Sequence, residues 1–235
     1  MRRVDPPPDP SSQVGRGTPL PVRRRVFIKM CGITNLEDGH LAAGAGADAV
    51  GFVFWPLSPR RVDVERAAAI SRVLPPFVLR VGVFVDAPRD EMARTADAVG
   101  LDLLQLHGDE PPEALDGLSR RAIKAVRVGR GFQADDAMRY AERAAGLLVD
   151  TRLSGDTAAP GGTGVPFDWS LVRGLRERVP FLMLAGGLSP ENVASAIEAV
   201  GPDAVDVASG VEAVPGRKDA ARVRAFVEAV RSMER

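Results

Sequence analysis

The stretch Val26-Phe27-Ile28-Lys29-Met30-Cys31-Gly32-Ile33-Thr34-Asn35 sets the pattern for the rest of the chain. It starts as a short apolar run of the kind that forms a buried strand. It ends in a glycine turn, with Thr34 or Asn35 placed to cap a helix. A doubly wound dinucleotide-binding sheet carries Gly-x-Gly-x-x-Gly at its first turn. The turn here reads Cys31-Gly32-Ile33-Thr34-Asn35, so that architecture fails at its most diagnostic place. Strand side chains alternate, which puts Phe27, Lys29 and Cys31 on one face. An ammonium and the single thiol of the protein therefore share the end of a buried strand.

Outward from this unit, the same order recurs: an apolar run, a loop with Gly, Pro or Ser, and an Ala-rich amphipathic stretch. Strands are expected at Val26–Met30, Ala49–Phe54, Val78–Val85, Leu103–Leu106, Ala122–Val126, Leu147–Asp150, Phe181–Leu184 and Ala204–Val207. Helices are expected near Leu36–Ala45, Val64–Val73, Arg89–Val99, Pro112–Leu118, Ala134–Ala144, Trp169–Arg178, Glu191–Ala199 and Ala220–Met233. Alternating strands and helices imply a parallel sheet. Eight units in a chain of 235 residues fit a single α/β domain, a (β/α)8 TIM barrel, at residues 26–235.

Residues 1–25 read differently. Pro6-Pro7-Pro8, Pro10, Pro19 and Pro21 stand among Arg, Ser and Gly, a composition that cannot bury a core. This Pro-rich N-terminal extension is expected to be disordered, and it lacks the apolar centre of a secretory signal. Elsewhere, 45% apolar residues suit a full core, and 31 basic against 31 acidic residues give no global pull toward nucleic acid or an anionic membrane. One cysteine excludes a disulfide framework and a Cys-rich zinc site, and a thiol kept reduced favours the cytoplasm. No apolar run reaches the roughly 20 residues of a membrane-spanning helix.

In such a barrel, chemistry sits at the C-terminal strand ends. Those ends read Cys31, Phe54, Asp86, His107, Arg127, Asp150, Gly186-Gly187 and Ser209-Gly210. Three successive late loops are Gly-rich: Gly161-Gly162-Thr163-Gly164, Ala185-Gly186-Gly187 and Ala208-Ser209-Gly210. Glycines let backbone amides approach an anion, and barrels often seat phosphate after strands seven and eight. A phosphorylated small molecule is the expected ligand, with structural turns as the plainer reading. Asp150 closes strand six with no helix directly after it to cap. Cys31 is either a small buried hydrophobe or a reactive thiol whose pKa Lys29 and the following helix start would lower. His107 is a conceivable partner for it. Arg60, after strand two, is either a solvated loop residue or a carboxylate clamp. Asp206 is expected to pair with Lys29 inside the barrel, and Lys124 to find a similar partner.

These residues carry a family resemblance. Lys29-Met30-Cys31-Gly32-Ile33-Thr34, Gly51-Phe52-Val53-Phe54 with Ser58-Pro59-Arg60, Val81-Gly82-Val83-Phe84-Val85 and Gln105-Leu106-His107-Gly108-Asp109-Glu110 resemble phosphoribosylanthranilate isomerase. So do Gly161-Gly162-Thr163-Gly164, Phe167-Asp168-Trp169, Leu184-Ala185-Gly186-Gly187-Leu188 and Val205-Asp206-Val207-Ala208-Ser209-Gly210-Val211-Glu212. The resemblance runs in order from about Val26 to the C-terminus, and departs at the Pro-rich segment, at Met30 and across the spacer Thr151–Pro160. It implies an aldose–ketose isomerase of tryptophan biosynthesis that converts N-(5-phosphoribosyl)anthranilate to 1-(2-carboxyphenylamino)-1-deoxyribulose 5-phosphate by an Amadori rearrangement. Carried over, Cys31 is the general base and Asp150 the general acid. Arg60 contacts the anthranilate carboxylate, and His107, Gly161, Gly162, Gly186, Gly187, Asp206, Ser209 and Gly210 complete the substrate site. No metal or organic cofactor is implied, no nucleic acid or membrane partner is expected, and the chain is a monomer or a homodimer. The related sugar isomerase of histidine biosynthesis runs the same rearrangement on a larger substrate with aspartates as acid and base. Cys31 argues against it, as does a single late-barrel phosphate cluster. A catalytically dead barrel that senses a phosphorylated metabolite is the non-enzymatic alternative.

Overall fold

The computed structural model describes residues 25–129, 131–150 and 169–234. Except for Arg25, the N-terminal extension lies outside the described residues, as do the spacer 151–160 and the Gly-rich loop 161–164. Eight parallel strands close into a barrel: β1 (Phe27–Cys31), β2 (Ala49–Val53), β3 (Leu79–Phe84), β4 (Leu103–Leu106), β5 (Arg121–Arg127), β6 (Gly146–Asp150), β7 (Leu182–Ala185) and β8 (Ala204–Val207). Closure is the pairing of β8 with β1, in which Lys29 lies opposite Asp206 and Met30 opposite Val207.

The connections follow from local chemistry. Helix α1 (Leu36–Ala45) begins where the Asn35 side chain accepts from the Asp38 amide, and it ends at Gly46 in the left-handed region. Asp63 caps α2 (Val64–Val73) in the same way, and Gly100 closes α3 (Arg89–Val99). Later, α5 (Val193–Val200) and α6 (Ala220–Ser232) complete the well-formed helices, with Asp219 accepting from two amides at the start of α6.

Between α3 and α5 the helical layer is thinner than the sequence pattern suggests. The segment after β4 is a 3-10 turn, Pro112–Leu115, confined between Pro111-Pro112 and Gly117, whose φ is +65°. The helix after β5, α4, covers only Ala134–Met138, and the Gln133 side chain makes no capping bond. After β6 come two 3-10 turns, Trp169–Val172 and Leu175–Glu177, separated by Gly174 at φ +82°. The breaks after β4 and β6 sit at proline or glycine, which remove helical hydrogen bonding or its dihedrals and which an apolar period alone does not register; α4 ends at Arg139 with no such residue beside it. A ribbon that the sequence pattern does not announce, β9 (Glu212–Val214) with β10 (Arg217–Lys218), follows β8.

Strand alternation divides the core. Ile28, Met30, Val50, Phe52, Leu104, Leu106, Leu147, Leu184 and Val205 pack outward against Ala42, Ile70, Ala96, Val223 and Phe226 of the helices. Ile123, Ala125, Leu148, Met183, Ala185 and Ala204 fill the inside of the barrel, and Cys31, Val53 and Val83 pack together near its mouth. Lys124 alternates with Ile123 and Ala125, so it points to the helix side rather than into the barrel. It pairs there with Glu110 at 2.9 Å.

Candidate active site

Cys31 occupies the last position of β1, buried, opposite Gly51 of β2. A Cβ at Gly51 would lie 2.8 Å from the Cys31 sulfur and 3.0 Å from Lys29 Nζ, so glycine there makes the room both side chains use. Lys29 donates to Asp206 Oδ1 at 2.9 Å, and both groups are buried. This ion pair accounts for both charges without a ligand. Burial works against a charged Lys29, yet Asp206 and Cys31 hold its pKa above the ordinary lysine value. For Cys31 the balance goes the other way. Burial pushes the thiol up, Lys29 pulls it down, and the Asp206 charge adds to the rise, with a net increase above the ordinary thiol value. The expectation of a lysine-lowered thiol is therefore corrected: Lys29 is divided between Asp206 and the thiol, and desolvation outweighs its field.

Asp150 ends β6, beside Arg127 of β5 and Ala185 of β7. It shares the inward parity of Leu148, so it faces the same mouth as Cys31, three strands away around the ring with β7 and β8 between them. His107 does not face Cys31 as a thiol partner. Its Nε2 lies 3.3 Å from Asp150 Oδ2, and its Nδ1 lies 2.9 Å from the Gln105 amide nitrogen. The imidazole thus bridges Asp150 to a buried amide on its own strand. Gln105 is the polar intruder in Leu103-Leu104-Gln105-Leu106, and that break in an apolar run was the available signal of its role.

Behind His107 the loop after β4 is locked from below. Lys124 donates to the Gly108 carbonyl at 2.7 Å and to Glu110 Oε2 at 2.9 Å, while Glu110 Oε1 accepts from the amides of Asp86 and Gly108. Burial raises the Glu110 carboxyl, but the Lys124 and backbone hydrogen bonds bring it below the usual value. Gly108 has no space for a side chain, since a Cβ would overlap the Asp86 carboxylate.

Arg60 is not a solvated loop residue. Its Nε and Nη2 grip Glu212 at 2.9 Å and 2.7 Å, and a Cβ on Gly32 would meet its side chain at 2.7 Å, so the arginine lies across the turn that follows Cys31. Lys218 joins the same cluster, donating to Glu212 Oε1 at 3.0 Å. Sequence reading gave no role to Glu212 or Lys218. Nothing local marks a ribbon that folds back over the first strand.

At the late strand ends, Gly186 and Gly187 take consecutive left-handed conformations, with φ +88° and +65°. Gly210, beside Ser209 in a 3-10 turn, packs so closely on the Leu188 carbonyl that a Cβ would overlap it. The loops after β7 and β8 therefore touch. Gly161 and Gly162, expected in the same site, lie outside the described residues. Among the described residues, no group of three or more His, Cys, Asp or Glu side chains is placed to hold a metal, and no helix is long and apolar enough to cross a membrane.

The arrangement has close relatives. The family model for N-(5'phosphoribosyl)anthranilate (PRA) isomerase matches residues 28–229. The N-(5'-phosphoribosyl)anthranilate isomerase of Pseudomonas aeruginosa (strain LESB58) is 55% identical over 213 residues, covering 89% of this chain and 97% of that protein. The crystal structure of phosphoribosyl anthranilate isomerase from Thermotoga maritima is similar with a TM-score of 0.81 and 44% identity, over 88% of this chain and 99% of that one. A solved phosphoribosyl anthranilate isomerase in complex with reduced 1-(o-carboxyphenylamino)-1-deoxyribulose 5-phosphate matches with a TM-score of 0.79 and 44% identity, over the same shares. A family model spanning most of the chain, a relative more than half identical over nearly its whole length, and a barrel with a thiol and a carboxylate at one mouth lead to one conclusion: the chain belongs to the N-(5'-phosphoribosyl)anthranilate isomerase family of tryptophan biosynthesis.

Proposed function

We propose that Cys31 and Asp150 are the base and acid of an Amadori rearrangement at this mouth. The observation that carries the assignment is their placement: β1 and β6 end in a buried thiol and a half-buried carboxylate, both facing the inside of one ring. N-(5-phosphoribosyl)anthranilate is the substrate. Asp150, in its acid form, gives a proton to the ribose ring oxygen as the C1–O bond breaks and the anthranilate nitrogen supplies the electron pair of the imine. The Cys31 thiolate then takes the C2 proton, and the C–H electron pair closes the enolamine. Gain of a proton at C1 and loss of the hydroxyl proton at O2 give the 2-ketose, 1-(2-carboxyphenylamino)-1-deoxyribulose 5-phosphate. The substrate nitrogen does the electronic work that a cofactor would otherwise do.

His107 orients Asp150, and Arg60 meets the anthranilate carboxylate. The backbone surface of Gly186, Gly187, Ser209 and Gly210, together with Gly161 and Gly162, seats the phosphate. Asp206 reaches the site through Lys29 and Cys31.

The test is turnover, followed as the loss of anthranilate fluorescence, together with rescue of a tryptophan auxotroph. Cys31→Ala and Asp150→Ala are each expected to lower kcat by at least about a hundredfold while keeping the fold. A Cys31→Ala enzyme with full activity overturns the assignment.

A further inference from the structure

The ribbon after β8 ends on a cluster that neither the fold nor the acid–base pair explains. Lys218 Nζ donates to Glu212 Oε1 at 3.0 Å, to the Cys31 carbonyl at 2.7 Å and to the Ala208 carbonyl at 3.1 Å. An ammonium has three hydrogens, and all three are used. Its side chain is fully buried at 0% exposure, and that of Glu212 is 3% exposed, so this is an interior charge pair next to the proposed base. The ribbon is also tied to α1, where Thr34 donates to the Gly216 carbonyl at 2.7 Å and the Lys218 amide to Asp38 at 3.0 Å.

Glu212 spends its carboxylate on the side-on edge of Arg60, formed by Nε and Nη2. A guanidinium has five N–H donors and a second flat edge, the end-on pair of Nη1 and Nη2. With the first edge fixed and the side chain lying on Gly32, the second edge has one direction to point. Charge completes the arrangement. Arg60 with Glu212 alone is neutral and has little net attraction for an anion. Lys218 returns the cluster to a net single positive charge.

We propose that Glu212 and Lys218 are positioning residues that set specificity for the carboxylated end of the substrate: they aim the end-on edge of Arg60 and keep its surroundings cationic. The inference rests on the reading of Arg60 as the carboxylate contact. Arg60 touches the ligand, and Glu212 and Lys218 act through it.

The experiment compares inhibition by two ligands, the reduced carboxyphenylamino deoxyribulose phosphate and its phenylamino counterpart without the carboxyl group. The ratio of their inhibition constants is measured for the wild type and for Arg60→Ala, Glu212→Gln, Glu212→Asp and Lys218→Met. Loss of one aligned charge-assisted contact is expected to reduce the ratio about tenfold in Glu212→Gln. KM should rise in parallel and kcat should fall less than about threefold, since no proton passes through this cluster. Glu212→Asp keeps the charge and should restore part of the ratio; it also carries the test if Glu212→Gln does not fold. Lys218→Met should lower affinity for the carboxylated ligand more than for its counterpart. A folded Glu212→Gln enzyme with an unchanged ratio overturns the proposal, provided Arg60→Ala loses it. If Arg60→Ala itself keeps the wild-type ratio, the reading of Arg60 falls and the positioning role falls with it.

Discussion

Cys31 is the residue where competing effects are most finely set. Desolvation raises the thiol, Lys29 lowers it, and Asp206 raises it again. Because Cys31 is the only cysteine, alkylation by iodoacetamide reports on it alone. Only the thiolate reacts, so the rate should climb with pH and reach half its limit above the ordinary thiol range. In Asp206→Asn the carboxylate that disfavours the thiolate is gone, and Lys29 is released toward the sulfur. Both changes lower the Cys31 pKa, so alkylation at pH 8 should quicken, by up to about tenfold. A slower reaction in Asp206→Asn would contradict this account. Gly51 gives a second prediction at the same scale. Adding a methyl group 2.8 Å from the sulfur displaces the thiol or Lys29. Gly51→Ala should therefore lower kcat by about tenfold or more and cost about 1–3 kcal/mol of stability, measured by turnover and thermal melting side by side.

At the scale of elements, the buried carboxylates are clamps between loops. Glu110 joins the loops after β3 and β4 to Lys124 of β5, and Glu212 joins the loop after β2 to the ribbon after β8. For Glu212, burial raises the pKa, but Arg60 and Lys218 outweigh it and leave the group below the carboxylate reference of 4.5; Glu110 ends on the same side of that value. A carboxyl whose folded pKa is depressed contributes stability above its unfolded pKa and loses it as pH falls through the folded one. Unfolding free energy should be steady at neutral pH and decline as the solution is acidified below about pH 4.5. Glu110→Gln should flatten that decline. Lys124→Met strands Glu110 as a buried charge and should cost about 3–5 kcal/mol in denaturant titrations.

Across the whole molecule, the two ends of the barrel divide the labour. The end opposite the proposed site is closed by Arg231, which donates to the Val26 carbonyl at 2.9 Å, to the Gly46 carbonyl at 3.1 Å and to Asp48 at 3.1 Å, tying α6 to both ends of α1's unit. Arg231→Ala should cost about 1–3 kcal/mol of stability and leave kcat/KM unchanged, because it lies at the N-terminal face of the strands. A parallel expectation concerns the extension. The family match begins at residue 28, so a chain starting at Arg25 should keep wild-type turnover.

The sequence by itself determined the barrel, because the apolar runs and the loops between them repeat in order along the chain, and these need no distant partner to be read. It also placed Cys31, Asp150, Gly186, Gly187 and Gly210 at or just after strand ends, since alternation and chain order suffice for that. It overstated the helices after β4, β5 and β6; Pro112 and Gly117 interrupt the first of these, and Gly174 the last, where the apolar period continues. What only the tertiary structure decided is how the charges are shared. Lys29 divides itself between Asp206 and the thiol, His107 pairs with Asp150 rather than Cys31, and Arg60 meets Glu212 across 152 positions of chain. The strength of a buried charge depends on every group brought within a few ångströms of it and on the water removed, and neither quantity exists until the ring has closed.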